Sequence, residues 1–388
     1  MKIGLYIADI LFRTGGTEAN CAYIVYALQN IYHDSEITII SETYKDISVS
    51  IPVISDYLNS TFGLSIKNNK IDLMLLFADK DNFINRALFE QRLRKTSKKF
   101  DLFFNCSMNI FSFAAKKNIA IVHFPPYRKI NSKFVKKYPS VFFSALQKDL
   151  AFSQKYTIYI SYSQYVQKWL NKIWHINKDK TVLINPAVNL ISKTGEEKDD
   201  FIFICSRIEQ SKEIEILVSA YLSNEFLQKT LKLVISGAVI EETTEYVQVL
   251  KKMICNYSDL ILLHENPLYK DIESYYNRAK IFWHAKGFSV DEEADPSSLE
   301  HFGLTTVEAM SAGCVPVVIN KGGQKEIVDD EINGFRWDTP EQLIEKTIYL
   351  VQNEKEYKKM SEAARNKAQN YSLETFTQNL GEVLRAKQ

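Results

Sequence analysis

Short apolar runs alternate with helix-period segments along most of the chain. In the first half "KIGLYIA", "EITIIS", "DLFFNC", "NIAIVHF", "TIYISYS" and "KTVLINPAV" read as buried strands. Between them "TEANCAYIVYALQNIY" and "QYVQKWLNKIW" carry apolar residues at helical spacing. The polar stretch "NLISKTGEEKDD" at 189–200 interrupts the pattern, which restarts with "FIFICS", "LKLVISGA", "LILLHE", "IFWHAKG" and "CVPVVIN". Apolar strands alternating with amphipathic helices predict parallel sheets built from βα units. A polar break in mid-chain predicts two such sheets. A length of 388 residues agrees, because single cores stop growing near ~250–300 residues.

Composition narrows the class. With 46% hydrophobic and 24% charged residues, the chain reads as an ordinary soluble globular protein. No run approaches the ~18 apolar residues of a membrane span. The amino terminus reads as a first buried strand and not as a signal peptide. The cysteines Cys21, Cys106, Cys205, Cys255 and Cys314 lie far apart without CxxC or Cys/His spacing. Buried thiols in a reducing compartment are expected, hence a cytoplasmic protein. The near-zero net charge conceals an asymmetry. Residues 1–190 hold 25 Lys and Arg against 14 Asp and Glu, a surplus of 11, and the remainder has a deficit of 10. Within 92–137 there are 12 basic residues and one acid, Asp101, interleaved with phenylalanines. Such a stretch suits nucleic acid, an anionic membrane surface or a phosphorylated acceptor. It equally suits lysines on solvated helix faces with phenylalanines in the core.

In open α/β sheets ligands bind beyond the carboxyl ends of the strands. The informative windows are therefore 9–17, 123–128, 206–212, Gly237, Glu265, 283–303 and 320–326. In "SSLEHFGLTTVEAMSAGCVPVV" two carboxylates, Glu300 and Glu308, flank a glycine turn and a helix start. Thr305 to Glu308 fits a capping box that Gly313 would close at the far end. Alternatively, the helix amino end faces the ligand side, where its unpaired amides would bind phosphate. Gly303 would then let the backbone approach, and Glu308 would reach a ribose diol. Arg207 and Lys212 follow a strand directly, where two cations would neutralise a diphosphate leaving group. Gly15 and Gly16 form a tight βα turn without a dinucleotide or P-loop signature. His123 ends a strand before a Pro-Pro corner. Asp79 and Asp81, like the acidic "VDEEAD", read as solvated turns, and no metal is expected.

These residues together resemble a known family. The E-x7-E span from Glu300 to Glu308, within "EHFGLTTVEAMSAGCVPVV…GGQKEIV…NGF", is similar to the retaining family 4 glycosyltransferases of the GT-B fold. The "EHFG" form resembles a branch of bacterial surface-polysaccharide transferases and eukaryotic mannosyltransferases that extend lipid-linked oligosaccharides. The resemblance implies an α/β fold of two Rossmann-like parallel-sheet domains facing a central cleft. Residues 1–188 with the returning helix at 373–388 would form the acceptor side, and 189–372 the nucleotide-sugar side. It implies that Glu308 holds the ribose and that Glu300 touches the donor sugar. The amides of Phe302, Gly303, Leu304 and Thr305 would cradle the diphosphate. Arg207 and Lys212 would stabilise the leaving group, Gly15 and Gly16 would let the amino-domain loop approach the donor phosphates or the acceptor, and His123 would line the reaction centre. The expected donor is a GDP- or UDP-linked hexose, with GDP-mannose favoured, and no cofactor or metal. The expected acceptor is a saccharide or polyprenyl-pyrophosphate-linked chain in surface polysaccharide (lipopolysaccharide, O-antigen or capsule) synthesis. The amino half would touch the anionic inner membrane face, and nucleic acid is not an expected partner. A non-catalytic binding subunit of the same fold, or a nucleic-acid-binding module, is the competing reading.

Overall fold

Parallel strands dominate both halves of the chain. The computed structural model describes residues 1–8, 10, 16–43, 53–67, 70–77, 83–107, 111–125, 151, 154–192 and 197–386. They divide into two units, Met1–Ala187 with Leu373–Gln388, and Val188–Ser372. The first contains β1 (Lys2–Tyr6), β2 (Glu36–Thr43), β3 (Ile71–Phe77), β4 (Leu102–Asn105), β5 (Lys117–Val122), β6 (Ile158–Ser161) and β7 (Thr181–Leu183). Their order in the sheet is β3-β2-β1-β4-β5-β6-β7. The second contains β8 (Asp199–Cys205), β9 (Lys232–Gly237), β10 (Ile261–Glu265), β11 (Ala279–His284), β12 (Val315–Ile319) and β13 (Phe335–Trp337). These run β10-β9-β8-β11-β12-β13, with every pair parallel. Both are doubly wound Rossmann-like sheets, and each reverses its winding beside its first strand.

The strand sequences explain the arrangement. Central strands such as "LFFN" in β4 and "VPVVI" in β12 are buried at every position, as expected where helices cover both faces. In the first unit helix α1 (Gly16–Ile31) lies on this core, and the chain's last helix joins it. Phe376, Leu380 and Leu384, four residues apart on the helix Leu373–Ala386, enter the same cluster as Cys21, Val25 and Leu28 of α1. In the second unit Trp283 is fully buried at the end of β11, and its indole N–H donates to Thr347 Oγ1 at 3.0 Å. That anchor holds the end of β11, from which the chain continues into Ala285 and Lys286. Among the described residues no helix is long and apolar enough to cross a membrane.

The basic stretch resolves in part. Phe100, Phe103, Phe104, Phe111, Phe113 and Phe124 are all buried, whereas Arg92, Arg94, Lys95, Lys98, Lys99 and Lys116 are exposed. Here the phenylalanines fill the core and the cations solvate the surface. Tyr127, Arg128, Lys129, Lys133, Phe134, Lys136 and Lys137 lie outside the described residues, as do Asp79 and Asp81. All five cysteines are free, and four are buried.

A Cβ on Gly237, at the end of β9, would lie 1.6 Å from the Ser206 carbonyl oxygen. Gly237→Ala therefore forces the ends of β8 and β9 apart. Overpacking of this kind costs about 3 kcal/mol, which lowers the melting temperature of this unit by about 6–12 °C. Gly63→Ala is the control, because its Cβ meets nothing within 4 Å and only its left-handed φ resists. It is expected to cost about 1 kcal/mol. Equal melting shifts for the two variants would refute the close approach.

Candidate functional site

In the second unit β8 and β11 are neighbours, yet the chain leaves them toward opposite edges of the sheet. A crevice opens beyond their carboxyl ends, which is where ligands of such sheets bind. β8 ends at Cys205 and is followed by Ser206 and Arg207; β11 ends at His284 and is followed by Ala285 and Lys286. The loop after β11 returns to the crevice at Glu300. Its Oε2 lies 3.3 Å from Lys212 Nζ, 3.6 Å from His284 Nε2 and 3.8 Å from Lys286 Nζ. Burial alone would raise this carboxyl, but the two ammonium groups and the imidazole reverse the effect and hold it well below the usual range. Burial pushes Lys286 and His284 down, with Glu300 opposing. Among the described residues, buried His284 Nδ1 has no hydrogen-bond partner. Arg207 stands at the rim, 62% exposed, and pairs with Glu209 at 3.0 Å. Lys212 ends the 3-10 turn Gln210–Lys212.

Glycines position Glu300. The Gly323 amide donates to the Glu300 carbonyl at 2.8 Å. A Cβ on Gly322 would lie 2.4 Å from that carbonyl oxygen, and one on Gly323 would lie 2.4 Å from the His301 carbonyl oxygen. Only glycines permit so close an approach. The chain then passes Phe302, packed edge-on against Tyr371, to Gly303. Gly303 has a φ of +120° and caps helix α9 (Leu304–Ser311), counting the helices Ile54–Phe62, Phe83–Ser97, Gln164–Trp174, Ile214–Leu222, Glu225–Thr230, Thr244–Ile254 and Tyr269–Arg278 as α2 to α8.

The capping box expected over Thr305 to Glu308 does not form. The helix begins earlier, with Gly303 as its cap and no side-chain cap bond. Thr306 Oγ1 instead accepts from buried Gln324 at 3.0 Å, and Glu308 has a different partner. The amides of Phe302, Gly303, Leu304 and Thr305 have no acceptor among the described residues. They are the orphan donors of a helix amino end. At the other end Cys314 N bonds Ala309 O and Gly313 N bonds Met310 O. This is the glycine-terminated stop expected of Gly313, whose φ is +81°.

Glu308 sits in a different environment, eight residues from Glu300. Its Oε2 accepts from the Tyr276 hydroxyl at 2.8 Å. No cation lies in ion-pair contact with it among the described residues, and burial raises it to about 7 against the partial relief given by Tyr276. Tyr276 is fully buried, edge-on to Phe203. The two glutamates of one motif are thus tuned in opposite directions. One is kept ionised by cations, and the other is near half-protonation at neutral pH.

The remaining candidates belong to the first unit. His123 follows β5, with Nε2 3.2 Å from the Cys106 carbonyl oxygen and its ring edge-on to Tyr162. Burial lowers it to about 4, so it is neutral near pH 7. Gly16 opens α1, and Gly15 lies outside the described residues. In the second unit Glu300, Lys212, His284 and Lys286 come together, with Arg207 at the rim. Sequence reasoning passed over His284, Lys286 and Tyr276. "HAK" stands at a strand end and so carried the signal, but its role needs β11 beside β8.

Comparison with known proteins bears on the fold and the family likeness. Residues 189–367 match the family model described as "Glycosyl transferases group 1". A sucrose synthase of Melioribacter roseus is 30% identical over 204 residues, covering 46% of this chain and 24% of that protein. An alpha-1,3/1,6-mannosyltransferase of Saccharomyces cerevisiae is 28% identical over 155 residues, covering 36% of this chain and 31% of that one. The chain thus aligns with about a quarter to a third of these relatives. Among solved structures, Anabaena HepE in complex with UDP and glucose superposes over 100% of both chains, with a TM-score of 0.72 and 15% identity. The fold is that of the GT-B glycosyltransferases, two Rossmann-like parallel-sheet domains.

Glu308 gives a signed pH effect. Its folded pKa of about 7 exceeds the unfolded value of ~4.3, so the folded state binds more protons between the two. The ligand-free protein therefore loses stability as pH rises through that window. Glu308→Gln removes this loss. The melting temperature of the variant minus that of wild type should increase from pH 5 to pH 8, and a flat difference would contradict the assignment.

Proposed function

We propose that the chain is a retaining glycosyltransferase that moves a hexose from a nucleoside-diphosphate sugar to a saccharide or lipid-linked acceptor. The observation that carries this reading is the pairing of a cation cluster around Glu300 with unpaired amides from Phe302 to Thr305, at the winding reversal of the sheet. A diphosphate placed there meets fixed donors and ammonium groups that need no reorganisation as charge develops on the leaving group. Arg207 and Lys212 stabilise the departing nucleoside diphosphate in place of a metal ion. Glu308 accepts from the ribose diol, which favours its ionised form, so binding near neutrality releases a proton. Glu300, kept ionised, faces the donor sugar and orients it toward the acceptor hydroxyl.

The amino-terminal unit serves the acceptor in this reading. Neutral His123 acts there as a hydrogen-bonding group and not as a charge, and the Gly15-Gly16 turn is assigned to the donor phosphates or the acceptor. The surplus of basic residues in that half suits a polyprenyl pyrophosphate at the cytoplasmic membrane face. Surface-polysaccharide synthesis is the corresponding role, with GDP-mannose favoured over UDP-hexoses by the likeness of the "EHFG" segment to mannosyl-transferring relatives. The burial of Phe100, Phe103, Phe104, Phe111, Phe113 and Phe124 removes the aromatic platform that a single-stranded nucleic acid would need from them.

A panel of UDP- and GDP-sugars with calorimetry of the free nucleotides tests the proposal. Glu308→Gln and Arg207→Ala are each expected to cut transfer at least ~100-fold, the scale of losing one preorganised charge partner. A wild-type protein with no affinity for either nucleotide would overturn it.

A further inference from the structure

The loop that carries Lys286 is held by two charged residues that make no direct contact with Glu300. Glu213 is buried and sits in the left-handed region at φ +53°. Such a conformation is unfavourable for a non-glycine residue. Its carboxylate compensates by spanning two amides, Oε2 accepting from Gly287 N at 2.7 Å and Oε1 from Ser289 N at 2.9 Å. The same loop is bound from its carbonyl side. Lys321 Nζ donates to Gly287 O at 3.0 Å, Phe288 O at 2.7 Å and Val290 O at 2.8 Å. An ammonium has three donors, and all three are used on one loop. Gly287 itself has φ +100°, and a Cβ there would lie 2.3 Å from Leu299 Cδ2, so the loop also rests on the residue before Glu300.

We infer that Glu213 and Lys321 are positioning residues, a clamp that fixes the 286–290 loop and thereby holds Lys286 against Glu300. Their places in the chain make the clamp effective. Glu213 follows Lys212, and Lys321 precedes the Gly322-Gly323 turn that bonds the Glu300 backbone. The clamp therefore ties together the three segments that supply Lys212, Lys286 and Glu300. Removing either charge releases one side of the loop without touching the groups proposed to meet the donor. The inference rests on the glycosyltransferase reading for its catalytic consequence, but the clamp can be measured without it.

Glu213→Gly is the informative variant, because glycine accepts φ +53° without strain while deleting both hydrogen bonds. Lys321→Met deletes the carbonyl-side bonds, and Lys321→Arg keeps donors there. Amide hydrogen exchange at Gly287 and Ser289 reads the clamp directly. Protection at both should fall at least tenfold in Glu213→Gly and Lys321→Met while the rest of the unit stays protected. Turnover should fall about 100-fold in kcat, the scale of a small misplacement in a preorganised site, with KM changed less than threefold. Lys321→Arg should recover at least a third of the wild-type kcat. Unchanged protection at these amides would overturn the clamp. Lost protection with wild-type turnover in an active enzyme would overturn its positioning role. A wild-type protein inactive toward every nucleotide sugar would overturn the functional reading, and exchange would then decide on the clamp alone.

Discussion

A carboxylate kept charged inside the protein is the constraint on which the second unit depends. Glu300 is taken out of water and remains ionised because Lys212, Lys286 and His284 surround one of its oxygens. Such a cluster contributes little to stability, because the cost of desolvating its charges offsets their attraction, and apolar side chains of similar volume would serve the fold as well. Its value lies in preorganisation. Charges fixed beforehand can meet an anionic ligand without rearranging, and backbone amides beside them extend the same field.

Everything near Glu300 follows from holding it there. The winding reversal sets β8 beside β11, so Lys212 and Lys286 converge from segments far apart in sequence. Gly322 and Gly323 give the Glu300 backbone room that no side chain would leave. Gly303, at φ +120°, turns the chain so that the next helix begins with the Leu304 and Thr305 amides unpaired among the described residues. That helix then carries Glu308 to the Tyr276 hydroxyl, in surroundings that lack the cations. Two glutamates of one short motif thus meet opposite electrostatics, and opposite chemical tasks become available to them.

Much of the fold was legible from period alone. Strands buried on both faces leave continuous apolar runs, and their alternation with helices predicts parallel sheets wherever the runs are long enough. The strand-end rule then selected Glu300, Arg207 and Lys212, and the spacing of the motif added Glu308. The illegible parts have physical reasons. His284 and Lys286 matter only because β11 lies next to β8, and pairing order is not encoded in local pattern. The expected capping box failed because Gly303 has access to a φ closed to threonine, which moves the helix start upstream. Glu213 hides for the opposite reason. Nothing in "QSKEIEI" announces a glutamate in a left-handed conformation whose carboxylate serves a loop more than seventy positions onward. The lysines at 133, 136 and 137 and Gly15 lie outside the described residues, so the acceptor side rests on sequence.

The two motif glutamates occupy opposite environments. Carbon-13 NMR of the labelled side-chain carboxyls, titrated in the ligand-free protein, measures this directly. The structure predicts that Glu300 stays ionised through the range where exposed glutamates titrate, while Glu308 titrates near pH 7. Two carboxyls titrating together near the ordinary value of ~4.3 would contradict it.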